Sequence, residues 1–211
     1  MRQPEGEIIT KIKNSLPKLD QEFHEKLLKD GWKELKEPKS LMGYVALSVP
    51  FMIVNFLIGM WIMEISTSGI ATDQKIITID VIYDAPVIIL AAIVLIVVHE
   101  LIHLLFIPNF IKSDNTYIGF TYFGGYVYTK EALTKYRLCL ILIAPFVFLS
   151  IIFNAISGSL GFYNVPLCAF IILNSIGSSV DILSLTLVLL QVPKDAYLTM
   201  NGMRTYWKHH R

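Results

Sequence analysis

The stretch IVLIVVHELIHLLFIP, residues 93–108, decides the fold of this chain. Its apolar residues are typical of a membrane-spanning helix, which needs about 20 of them to cross the hydrocarbon core. His99, Glu100 and His103 nevertheless lie within it. Ionisable side chains are costly at that depth and mark functional sites in membrane proteins. These three residues are therefore the first candidates for a functional site.

The three residues form the pattern H-E-x-x-H. Residues four apart on a helix lie one turn apart on the same face, so His99 and His103 can bind one Zn²⁺ ion. Glu100 then lies beside the ion and can act as a general base. The pattern predicts zinc as the cofactor, the two histidines as metal ligands and Glu100 as the catalytic residue. The alternative for the histidines is hydrogen bonding to neighbouring helices.

A catalytic zinc ion needs a third protein ligand as well as an open position for water. The remaining histidines, His24, His209 and His210, lie in the terminal segments. Asp181 is the acidic residue well inside the last apolar stretch, at a comparable depth. We therefore predict Asp181 as the third metal ligand. A purely structural bond to a histidine is the alternative.

Small polar residues precede Asp181 in the segment LNSIGSSVDILSL, residues 173–185. Such a run is expected to pack against another span or to line a wet cavity. Asn174 lies two helical turns before Asp181, so it is a candidate for binding the substrate backbone or an oxyanion. Interhelical hydrogen bonding is an equal alternative. Pro145, in the preceding span, is expected to kink its helix and free a backbone carbonyl, which we interpret as a packing feature.

The composition of the whole chain indicates an integral membrane protein. Of the 211 residues, 54% are hydrophobic, and the mean hydropathy is +0.56. These values are too high for an ordinary soluble domain. The net charge of +1 gives no basic face for nucleic acid, so we expect no nucleic-acid partner. Apolar stretches predict four spans, at about residues 41–63, 85–107, 136–156 and 166–192.

The charged flanks predict how the chain is oriented. Residues 1–40 hold about half of the charges and are expected to form a cytoplasmic arm with a short amphipathic helix, which Asp20 begins and Gly31 ends. Residues 193–211 are a short tail. Lys and Arg are concentrated in the arm, in the loop 108–135 and in the tail. The positive-inside rule then places both termini in the cytoplasm of a multi-pass protein in the cell membrane.

The loop between the second and third spans contains NTYIGFTYFGGYVYT, residues 115–129. Its aromatic and β-branched residues predict a β-hairpin at the membrane surface, with Gly124 and Gly125 at its turn. The hairpin is expected either to cover the bundle or to pair with an extended peptide. In the second case Gly124 and Gly125 are candidates for contacting substrate or an oxyanion.

The predicted fold class is therefore an all-α integral membrane protein. Four transmembrane helices, residues 41–192, form a bundle that carries the predicted zinc site. A small β-hairpin at the membrane surface and an N-terminal cytoplasmic arm complete the fold. The lipid bilayer is an expected partner, and no oligomeric state is predicted.

At these residues the chain resembles the site-2 protease group of intramembrane zinc metallopeptidases. That group has H-E-x-x-H in one span, followed by a span with Asn and then Asp. The compact four-span layout is similar to a bacterial family of membrane zincin peptidases, over about residues 32–207. The resemblance implies that His99, His103 and Asp181 bind zinc. It also implies that Glu100 activates the water that cleaves a membrane protein or peptide. Site-2 proteases usually have Gly after the Asp, whereas Ile182 follows here.

Two other classes of function remain open on the sequence. A catalytically inactive membrane scaffold would bind zinc without hydrolysing any peptide, although it would have no need of Glu100. A small transporter would use His99, His103 and Asp181 as a relay and would produce flux in liposomes.

Overall fold

A computed structural model of the protein describes residues 12–13, 17–68, 81–110, 113, 115–121 and 124–209. Within these residues, four helical segments are long and apolar enough to cross a membrane. They are Leu41–Thr67, Ala85–Leu105, Lys135–Ser159 and Val165–Gln191. Each overlaps one predicted span, so the expectation of four apolar helices is confirmed.

The third and fourth spans are each divided into shorter helical segments, and short strands flank the bundle. In chain order the elements are β1 (Ile12–Lys13), α1 (Gln21–Lys29), β2 (Lys33–Glu34), α2 (Leu41–Thr67), α3 (Val81–Leu105), β3 (Thr116–Thr121), β4 (Gly124–Thr129), β5 (Leu133–Thr134), α4 (Lys135–Pro145), a π-helical segment (Phe146–Phe153), α5 (Asn154–Ser159), α6 (Val165–Gly177), α7 (Ser179–Gln191), β6 (Ala196–Asn201) and β7 (Arg204–His209).

Helix α6 is the central helix of the bundle, because it packs against both α2 and α3. Small residues allow this close approach: a side-chain carbon at Gly59 of α2 would lie 2.7 Å from Ser175 Oγ of α6. Buried polar groups join the helices as well, and Asn154 Nδ2 donates to the carbonyl of Gly59 at 2.9 Å. Small residues and polar contacts are the usual means by which helices associate in lipid, where hydrophobic burial gives little preference for any one face.

The third span is interrupted at Pro145, as the sequence predicted. Helix α4 ends at this proline, and the next eight residues, Phe146–Phe153, form a π-helix. Such a π-helical segment is uncommon and is often found at functional sites. The interruption lies beside the α3 histidines, since the carbonyl of Ile141 in α4 contacts His103.

Two small sheets lie at the end of the bundle where the arm and the tail meet, so the all-α prediction was only partly right. One sheet has the strand order β1-β3-β4 and the other β2-β7-β6-β5. Strands β6 and β7 form an antiparallel hairpin from the tail, and β2 of the arm pairs with β7. Because β2 and β5 have only two residues each, no alternating pattern in the sequence could reveal them.

The arm docks on the tail through buried side chains. Asn201 accepts from the backbone N–H of Asp20 at 2.9 Å and donates to its carbonyl at 2.8 Å. Asp20 begins α1 as predicted, with its carboxylate accepting from the Phe23 N–H, and this bond holds the pKa of Asp20 below its usual value. Gly31 follows the helix with a φ of +82°, a conformation that favours glycine.

Glu37 connects the arm with α2 and with the tail. Its carboxylate accepts from the Tyr44 hydroxyl at 2.5 Å and from the backbone N–H of Thr205. Burial raises the pKa of Glu37. The arm and the tail are therefore tied to the same end of the first span.

The hairpin predicted at residues 115–129 consists of β3 and β4, with Ile118 opposite Val127. Gly124 and Gly125 were placed at its turn, and that detail was wrong. Both residues lie in β4, where they pair with Thr121 and Phe120. The backbone of Gly125 therefore lies next to Glu100 of α3 and not at the tip of the hairpin.

Candidate metal centre

The candidate centre lies where the end of α3 meets the beginning of α7. His99, Glu100 and His103 occupy the last two turns of α3, and Asp181 lies in the first turn of α7. Glu100 and His103 are only 7% and 6% exposed. Such burial is expensive for ionisable groups unless they are paired or bind a metal ion.

Three potential ligand atoms converge in this space. Asp181 Oδ2 lies 3.2 Å from His99 Nε2 and 3.5 Å from His103 Nε2. One ligand atom from each of the three residues lies within 4.8 Å of the other two. The sequence prediction that these residues meet therefore holds in the fold, although Asp181 lies about 80 positions after the two histidines.

The other ring nitrogen of each histidine is held by a neighbouring helix. His103 Nδ1 lies 2.8 Å from the carbonyl oxygen of Ile141, which can only accept. His99 Nδ1 lies 2.9 Å from Asn174 Oδ1. Both Nδ1 atoms are therefore donors, and in the neutral rings both Nε2 atoms have lone pairs directed at the Asp181 carboxylate.

This arrangement fits a divalent metal ion. Two imidazole lone pairs and a carboxylate oxygen repel one another unless protons or a cation lie between them. Tetrahedral zinc with ligand bonds near 2.0–2.1 Å separates its ligand atoms by about 3.3 Å. The Asp181–histidine distances of 3.2 and 3.5 Å agree with that separation. Two histidines and one carboxylate are also a known ligand set of catalytic zinc.

Glu100 lies beside the three ligands and against the backbone of β4. A side-chain carbon at Gly125 would lie 2.5 Å from Glu100 Cγ and 2.8 Å from its Oε1, so any larger residue there would displace the Glu100 side chain. Among the residues that the structure describes, the buried Glu100 Oε2 has no hydrogen-bond partner. A buried unpaired oxygen is rare in folded proteins and calls for a functional explanation.

A cavity of about 530 Å³ adjoins the four residues. Its walls come from α2, α3, α4, α6 and α7, from β4, and from the turn between β6 and β7. The lining is mainly apolar, and Glu100 and Asp181 are among its few polar groups. A concave apolar space with a few convergent polar groups is the usual form of a small-ligand or substrate site.

Comparison with protein families adds an independent finding. The model of the family described as "Putative zincin peptidase" matches residues 92–197, half of the chain. The chain belongs to this family. The matched region contains the whole H-E-x-x-H motif and Asp181. No curated protein and no solved structure matches the chain.

The other predicted site residues, Asn174, Gly124 and Gly125, lie close to the candidate metal centre. Asn174 is fully buried, and its Nδ2 donates to the carbonyl of Pro145 at 3.1 Å and to Ser150 Oγ at 2.9 Å. Gly124 and Gly125 both line the cavity. Pro145 predicted a freed backbone carbonyl in the third span, but no residue pattern indicated that this carbonyl, of Ile141, would contact His103.

Proposed function

We propose that this protein is an intramembrane zinc-dependent peptidase, similar to site-2 proteases, that hydrolyses peptide bonds of membrane-associated substrates. The convergence of His99, His103 and Asp181 beside the unpaired Oε2 of Glu100 carries this proposal. Membership of the zincin peptidase family supports it independently.

The metal would be held by His99 Nε2, His103 Nε2 and one carboxylate oxygen of Asp181. A zinc ion bound there acidifies water and polarises a carbonyl group. Glu100 accepts a proton from the attacking water, whose oxygen bonds to the carbonyl carbon of the peptide. The carbon–nitrogen bond then breaks, and Glu100 delivers the proton to the leaving amine.

Asn174 acts in this scheme by orienting His99. Both hydrogens of its Nδ2 have acceptors, in Pro145 and Ser150, and its Oδ1 faces the imidazole. No donor remains for an oxyanion, so the contacts favour the interhelical alternative for this residue. Outer partners of this kind fix the ring orientation of metal-binding histidines.

We propose that the substrate enters from the lipid between α2 and α3. Both helices line the cavity, and each packs against α6 rather than along the other. The mainly apolar lining suits a membrane segment. Strand β4 lies at the edge of its sheet with Gly125 against Glu100, which supports binding of an unwound segment beside this strand.

We further propose that both termini are cytoplasmic. The pairing of β2 with β7 supports placing the arm and the tail on one side, and the distribution of Lys and Arg supports the cytoplasm. The turn between β6 and β7 lines the cavity, so water would enter from that side.

The test uses Glu100→Gln in the full chain, reconstituted with zinc and given model transmembrane peptides in liposomes, or casein. We expect zinc content to stay at the wild-type level. Cleavage should fall by about 10²–10⁴-fold, because the proton acceptor is lost. Glu64→Gln, at an exposed site near the far end of α2, is the matched control and should cleave normally.

Full cleavage by the Glu100→Gln variant would remove Glu100 from its role. Zinc bound by wild type without turnover of any of these peptides would favour an inactive scaffold. Ion flux that depends on Asp181 would favour a transporter.

A further inference from the structure

Pro145, in a different helix from either histidine, sets which nitrogen of each histidine faces the metal position. We infer that it is a positioning residue for both metal-binding histidines. The inference rests on the metal centre of the proposed function but does not require peptidase activity.

The carbonyl of Ile141 lacks its usual helical donor. In an α-helix this oxygen would accept a hydrogen bond from the backbone N–H of residue 145, four positions later. Proline has no such N–H, and its ring pushes the carbonyl at i−4 away from the helix axis. The Ile141 oxygen therefore needs another donor, and His103 Nδ1 lies 2.8 Å from it.

This bond has few competitors, because both partners are buried. His103 and Ile141 are both only 6% exposed. An unpaired carbonyl or imidazole N–H in such surroundings is costly, so each group stabilises the other in the observed geometry. The bond fixes the proton on Nδ1 and directs Nε2 of His103 toward Asp181.

The carbonyl of Pro145 makes a second contact. It accepts a hydrogen bond from Asn174 Nδ2 at 3.1 Å, directly before the π-helical segment begins. Because a carbonyl cannot donate, this contact identifies Nδ2 as the nitrogen of the amide and leaves Oδ1 facing His99. His99 Nδ1 must then be the donor, and its Nε2 faces Asp181.

Both histidines are thus held in the same tautomer through a single interruption of the third span. The packing kink expected from the sequence has a chemical use: it presents carbonyl oxygens sideways to α3 and α6. A regular α4 would use the Ile141 oxygen internally.

The test compares two replacements at residue 145 that differ in one group. Pro145→Ala restores a backbone N–H that can donate to Ile141. Lactic acid at the same position, introduced by nonsense suppression, has the alanine side chain but an ester oxygen in place of the N–H. Pro50→Ala is the matched control, since Pro50 is an exposed proline inside α2.

Two quantities are measured on the full-length protein: the zinc Kd, by competition with a chelator, and the histidine tautomers without metal, by ¹⁵N NMR at an alkaline pH that keeps both imidazoles neutral. We expect Pro145→Ala to weaken zinc binding by about 10–100-fold, the usual effect of losing an outer partner of a metal ligand. The His103 signal should also shift away from a pure Nδ1–H tautomer. The lactic acid variant and Pro50→Ala should resemble wild type in both quantities.

Two results would overturn the inference. The first is that Pro145→Ala keeps both the wild-type tautomers and the wild-type zinc affinity. The second is that the lactic acid variant loses zinc affinity as much as the alanine variant does, because packing of the Pro145 ring would then be the cause. If the alanine variant does not fold, the lactic acid variant still tests the inference. Wild-type tautomers in that variant support it, and their loss contradicts it. The metal-free NMR measurement remains decisive even if wild type cleaves nothing or binds no zinc.

Discussion

At the scale of single residues, Gly125 has no side chain, and this allows the β4 backbone to lie directly against Glu100, the proposed general base. The carboxylate of Glu100 occupies the space that a Cβ atom would need. The position of a general base matters, because a misplacement of about 1 Å can cost about 100-fold in rate.

Gly125→Ala should therefore lower cleavage by about 100-fold while leaving the zinc content unchanged, since the three atoms nearest to the added carbon all belong to Glu100, which is not a proposed metal ligand. Cleavage and metal content are measured on the same preparation. Gly177→Ala is the control, because its added carbon meets nothing within 4 Å. Normal cleavage by Gly125→Ala would show that Glu100 does not need this contact.

The sequence was most informative at the ionisable residues that lie within apolar helices. His99, His103 and Asp181 could be proposed as a group because ionisable side chains are rare in apolar spans. The close approach of Gly125 to Glu100 could not be foreseen, since a glycine pair next to aromatic residues is also a common turn signal.

At the scale of elements, the junction between α6 and α7 borders the cavity. Gly177, the last residue of α6, lines the cavity and has open space around the position of a Cβ atom. A larger side chain there can enter the cavity without displacing its immediate neighbours.

Gly177→Leu should block substrate and spare the metal centre. With substrate in the cavity, the leucine side chain would overfill the shared space at a cost of about 1–3 kcal/mol, so kcat/KM should fall by about tenfold or more, with the zinc Kd unchanged. Steady-state cleavage of a model transmembrane peptide measures the effect, and Gly177→Ala should stay close to wild type. An unchanged kcat/KM for the leucine variant would place substrate binding outside this cavity.

Helices and strands differed in how far they could be predicted. The four spans follow from the length of the apolar stretches alone. Pro145 marked an interruption, but the π-helix after it depends on how α4 packs and has no residue signature. The pairing of β2 with β7 joins segments at opposite ends of the chain, and local pattern carries no information about such contacts.

At the scale of the whole molecule, the fold brings the end of α3 to the beginning of α7 through their packing with α4 and α6. The sequence indicated depth but not which helices are neighbours, because lipid-facing and helix-facing residues are similarly apolar. Helix α6 packs on both α2 and α3, and its Asn174 contacts both His99 and the interrupted third span. The candidate metal ligands are therefore brought together by the bundle as a whole.

The zinc content of the purified full-length protein, wild type beside Asp181→Ala, tests this account most directly. Asp195→Ala, at an exposed position in the tail, is the matched control. After loading and dialysis, we expect one zinc ion per chain in wild type and in the Asp195 variant, and little or none in Asp181→Ala. Equal zinc in wild type and Asp181→Ala, or none in wild type, would contradict the account.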